Sequence, residues 1–149
     1  MPHLEQSRTP LTPEEVELAF EYVLAIQDQS EHGLAAAVDR TKAVPAPSYL
    51  LLRLAADIIL PVTDLAADTD PCADSFALDE VGGVLLAALQ EWTQECVPSA
   101  IWGVANTIIR FTENVLRQEG EDIVDTLKTM RTEHVERARA AYASGGAHR

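Results

Sequence analysis

Between Ser99 and Gln118 the chain places Ile101, Trp102, Val104, Ala105, Ile108, Ile109, Phe111, Val115 and Leu116 around most of a helical circumference. Asn106, Arg110, Glu113 and Arg117 are left as its one polar line. A surface helix keeps its apolar residues to a single stripe, whereas a helix that is apolar nearly all round has to be enclosed by other elements. The spacing therefore predicts a central helix over about 99–118, with further helices packed around it. The 149 residues supply enough surface to bury one such core without metals or disulfides.

What surrounds that spine is also helical in pattern. Only eight aromatics occur, two Trp, three Tyr and three Phe, against abundant Ala and Leu, so strand formers are scarce and helix formers plentiful. Thr12-Pro13-Glu14-Glu15 is a start signal: Thr12 caps, Pro13 suits the first helical position and Glu15 completes a capping box. From there Val16, Ala19, Phe20, Val23 and Ile26 repeat at helical spacing to about Gln29. Gly33 breaks the pattern, and a short helix through Leu34–Val38 stops before Pro45 and Pro47. A third helix begins near Ser48, carries Tyr49, Leu50, Leu52, Leu54, Ile58 and Ile59, and kinks at Pro61 before ending near Ala67.

The stretch from Asp68 to Ser75 combines turn formers with charge and reads as a loop. A fourth helix over about 78–96 holds Val81, Val84, Leu85, Ala88, Leu89 and Trp92. Its interior pair Gly82-Gly83 weakens it by about 0.5–1 kcal/mol per glycine, which points to close helix packing there. Val97-Pro98-Ser99 allows only a tight connection to the spine, and Gly120 separates a last helix over about 121–143, with Ile123, Leu127, Met130, Val135, Ala138 and Tyr142. No internal repeat is visible. The expected fold is all-α: a compact orthogonal or up-down bundle of five to seven helices. An irregular helical-hairpin stack is the alternative. The bundle forms a single domain over 1–149, with 1–11 and 144–149 flexible.

Charge is distributed unevenly. Residues 1–98 hold 17 acids and 4 bases, and residues 99–149 hold 7 of each, so the net charge of −13 lies wholly in the first part. Between Arg53 and Arg110 there are nine Asp or Glu and no Lys, Arg or His. Nucleic-acid binding needs clustered cations, so direct contact of that region with DNA or RNA is not expected. No run approaches the roughly 18 apolar residues of a membrane span, and the first residues lack the basic start and apolar core of a secretory leader, so the expected location is the cytoplasm. Cys72 and Cys96 are the only cysteines and are expected to be free thiols.

Catalytic motifs are not found. No glycine-flanked Ser or Cys elbow occurs, Cys72 stands between Asp70 and Asp74, and Cys96 follows Glu95 near a helix C-terminus, where an anion is disfavoured. None of the four His has a Glu three places before it, as a di-iron bundle requires, and His32 and His134 are isolated from other metal ligands. Asp68, Asp70, Asp74 and Asp79 fall near calcium-loop places, but the turn glycine is lacking and a solvated acidic loop is preferred. No cofactor or metal site is expected.

Two surfaces stand out. Glu14, Glu17, Glu21 and Asp28 run along one side of the first helix as an acidic ridge. Tyr49, Trp92, Trp102 and Phe111, with Asn106 and Arg110 as polar partners, are candidates to line an apolar pocket between helices. The expected function is a non-enzymatic interaction module, a regulator, adaptor or inhibitor, whose acidic face meets a basic protein partner. The alternative is a small-molecule-binding bundle, and a third possibility is a DNA mimic built on the ridge. A homodimer is expected as well, if the neighbouring helices leave part of the spine uncovered.

Overall fold

A computed structural model describes residues 10–28, 35, 39, 47–64, 70–94 and 98–146. Among these the chain forms five α-helices and no strand, packed into a compact bundle. The helices are α1 (Pro13–Asp28), α2 (Pro47–Thr63), α3 (Ala73–Gln94), α4 (Pro98–Phe111) and α5 (Ile123–Gly146). The short helix expected over Leu34–Val38 lies outside the described residues except for Ala35, which is helical and exposed.

α1 starts as its sequence dictates. The Thr12 hydroxyl accepts the Glu15 N–H at 3.1 Å while Glu15 Oε1 accepts the Thr12 N–H at 2.9 Å, so two otherwise orphaned donors are satisfied reciprocally. α2 runs through Pro61 and stops two residues later, where the Asp64 N–H reaches the Leu60 carbonyl at 2.8 Å. Thr63 Oγ1 donates to the Ile59 carbonyl at 3.1 Å, occupying a carbonyl of this last turn.

α3 begins at Ala73, five residues earlier than its apolar pattern predicts. Cys72 holds the cap position: its N–H donates to Ser75 Oγ at 3.1 Å, and its carbonyl accepts the Phe76 N–H at 3.2 Å to open the helix. Asp74 in the first turn then meets the positive end of the helix dipole. The loop expected from Asp68 to Ser75 is corrected accordingly, since Ala73, Asp74 and Ser75 are helical, and residues 65–69 lie outside the described residues.

α4 is the spine. Val104, Ala105 and Ile108 are fully enclosed, and the helix packs against α1, α2 and α3. Its α-helical course ends at Phe111, short of the expected 118, where Thr112–Leu116 form a single π turn closed by the Arg117 N–H on the Thr112 carbonyl at 2.7 Å. Gly120, with φ of 88°, then lets the chain turn back into α5. α5 lies chiefly against α1 and the π turn, and α3 chiefly against α2 and α4, so these two form opposite margins of the bundle. The core between them centres on Phe20, Val23, Leu54, Ile59, Ile108 and Leu127.

Residues assigned to the loose ends are partly held. Leu11 is buried, and the Tyr142 hydroxyl donates to the Pro10 carbonyl at 2.7 Å. α5 continues to Gly146. No helix among the described residues is long and apolar enough to cross a membrane.

Candidate functional site

The acidic ridge of α1 faces cations supplied by the same chain. Glu17 and Glu21 line a cleft of about 390 Å³ together with Arg131, Thr132, Val135, Glu136 and Arg139 of α5. Two carboxylates of the ridge therefore share one recess with two guanidiniums, and Arg139 also pairs with Glu136 at 3.6 Å. Glu14 and Asp28, the ends of the ridge, are exposed. The fold thus brings two cationic side chains into the cleft at the middle of the ridge.

The aromatic residues proposed to line a pocket are spread over outward-facing positions. Tyr49, Trp92 and Trp102 are 46%, 40% and 40% exposed, and Asn106 and Arg110 follow Trp102 at one-turn intervals on the open side of α4. Phe111 packs against the core. Trp92 has a specific seat, because its indole lies so close to Gly103 that a Cβ there would overlap the ring. Gly103 is thus what lets α3 and α4 approach at this point.

A second cleft, of about 260 Å³, lies among Pro10, Leu11, Val16, Asp57, His134, Arg137, Ala138 and Ala141. Burial raises the Asp57 carboxyl above its ordinary range, against the opposing pull of the Arg53 and Arg137 guanidiniums. Asp57 as a whole residue remains exposed, so the shift reflects a crowded cleft wall and not a dry interior. Burial lowers the His134 imidazole, Arg137 lowers it further, Glu133 opposes, and the ring rests 5.6 Å from that of Phe20. No spacing in the sequence links Asp57 on α2 with His134 and Arg137 on α5. The only signal was a lone acid set among the leucines and isoleucines of α2.

These shifts carry a pH dependence with a defined sign. A folded-state pKa below 6.5 means that the folded protein resists protonation at His134, so this contribution is complete above pH 6.5 and is lost as pH falls below it. Asp57 runs the other way, its contribution being complete below 3.8 and lost as pH rises through its higher folded value. Urea midpoints measured between neutral and mildly acidic pH are expected to fall more steeply for the wild type than for His134→Gln. Parallel slopes would show that His134 is not the group responsible.

The largest departure from expectation is α3. Its inward residues are Gly82, Leu86 and Leu89. Val81 and Val84, part of the apolar pattern expected of this helix, are 62% and 67% exposed, and Phe76, Ala77, Ala87 and Ala88 are exposed as well. The physical reason is that α3 is apolar on both sides, so periodicity alone could not say which side faces in. Ala77, Val81, Val84 and Ala88 follow one another at four- and three-residue steps and so form one continuous row. The adjoining row is Glu80, Val84, Ala87 and Glu91, all exposed. An apolar strip bordered by carboxylates is thus left exposed on this helix at the margin of the bundle.

Cys72 is exposed, and Cys96 lies outside the described residues. Comparison with known protein families, curated proteins and solved structures finds no match.

Proposed function

We propose that this chain is a non-enzymatic helical interaction module that binds a basic protein partner. The observation that carries it is the outer side of α3, where Phe76, Val81 and Val84 stand exposed within a segment that has nine acids and no cation. Isolated exposed apolar residues are ordinary, but a contiguous strip rimmed by polar groups marks a contact surface. A one-signed surround gives that contact its selectivity and its rate of encounter. We favour α3 over the α1 ridge as the contact surface because Glu17 and Glu21 share their cleft with Arg131 and Arg139.

The full-length chain, immobilised and exposed to extract from its native host, is expected to retain a basic protein at low salt and release it progressively as salt rises. Recovery of no partner at either low or moderate salt would overturn the proposal.

The cleft of Asp57, His134 and Arg137 favours a second reading, in which a small molecule binds there. It combines an apolar wall with a few convergent polar groups, as ligand sites do. Neither tryptophan lines it, so thermal shift against a metabolite library is the suitable measurement. A library in which no compound raises the melting temperature would remove this reading.

A further inference from the structure

We infer that the partner presents an amphipathic helix, which lies along the outer face of α3 with its apolar row on Ala77, Val81, Val84 and Ala88 and its cations against Glu80 and Glu91. This rests on the interaction-module reading and adds the form of the partner and the place where it sits.

The dimensions fit a helix. From Phe76 to Glu91 the face covers sixteen residues, or about 24 Å at 1.5 Å per residue, the length of a partner segment of about four turns. Its principal row advances by four, three and four residues, the pattern that interlocks with a matching row on a neighbouring helix. The residues along it are alanines and valines, small enough for another helix to approach closely.

The charges identify the occupant. Glu80 and Glu91 stand eleven residues apart, about three turns, in the row that also contains Val84 and Ala87. A partner helix with Lys or Arg at matching separation pairs both carboxylates while its apolar residues cover the valines. A second copy of this chain meets the face less well. Two α3 helices packed together would bring four carboxylates, those of both Glu80 and Glu91 pairs, into one interface, and no cation exists between Arg53 and Arg110 to answer them.

The test uses the intact chain and a synthetic helix of roughly 18 residues, long enough for the face. One peptide carries a leucine row flanked by lysines eleven residues apart, and its control carries glutamates in their place. Calorimetric titration is expected to show binding of the lysine peptide only. Val84→Asp is the decisive variant, because it adds a negative charge at a position that is 67% exposed and so leaves the fold intact. Docking predicts at least about tenfold weaker binding of the lysine peptide to Val84→Asp, equivalent to about 1.4 kcal/mol. Attraction by charge alone predicts equal or tighter binding, which would overturn the inference.

A double reversal, Glu80→Lys with Glu91→Lys, is expected to shift preference to the glutamate peptide and keeps the test decisive should Val84→Asp fail to fold. Sedimentation showing that the wild type pairs and Val84→Asp does not would assign the face to a second copy and also overturn the inference. Should the host partner be retained equally by wild type and Val84→Asp, the docking face falls while the interaction module stands. Should wild type retain none, the broader reading falls by itself.

Discussion

Ile108→Ala is expected to cost about 2–5 kcal/mol, a large share of the 5–15 kcal/mol that holds a typical domain together. Ile108 has no exposed surface, and its helix is enclosed by α1, α2 and α3. Truncation removes apolar contacts and leaves a cavity that three packed neighbours cannot collapse to fill. Glu17→Ala on the α1 ridge is the internal control. Exposed ion pairs are worth little, and surface changes of this kind stay within about 0.5 kcal/mol. Urea melts of both variants check the inside and the outside of the bundle together. Comparable losses at the two positions would mean that α4 is not the spine.

The second large effect concerns two adjacent glycines that should respond in opposite directions. A Cβ on Gly82 would stand 2.6 Å from Thr63 Cβ, closer than real side chains approach, and would overlap Thr63 Oγ1. Thr63 has little freedom to retreat, since it is buried and its hydroxyl is committed to the Ile59 carbonyl. Gly82→Ala should therefore destabilise: overpacking costs typically 1–3 kcal/mol and exceeds the roughly 0.5–1 kcal/mol regained by removing a helical glycine. At Gly83 nothing lies within 4 Å, so Gly83→Ala should stabilise by about 0.5–1 kcal/mol. Thermal melts of the two single variants decide the matter. Shifts of the same sign would mean that α2 and α3 do not meet at Thr63 and Gly82.

The glycine pair shows where the sequence was legible and where it was not. Two glycines inside a helical pattern signalled close packing, yet only a partner element tells which of them is in contact. The same holds at larger scale. The capping box at Thr12 and Glu15 is local chemistry, and it fixed the start of α1 to the residue. The all-round apolarity of 99–118 placed α4 at the centre because no other position buries such a helix. α3 defeated the same logic, since apolar residues on both sides leave its orientation to tertiary contact. Its start was hidden for another reason: Asp-Pro-Cys-Ala-Asp-Ser looks like a turn until Cys72 and Ser75 are seen closing a cap. The α1 ridge is a local pattern of the helix, but the guanidiniums of Arg131 and Arg139 in its cleft come from more than a hundred residues away, beyond the reach of any local pattern.

That same distance bears on how the molecule is made. α1 rests against α5, and the Tyr142 hydroxyl closes on Pro10 across 132 residues of chain. During synthesis α1 emerges first but has no α5 to pack against until nearly everything between them has left the ribosome. Helices α2, α3 and α4, joined by nearer contacts, can associate in the meantime. Closing so long a ring is entropically costly, so the margin formed by α1 and α5 is expected to assemble late in folding.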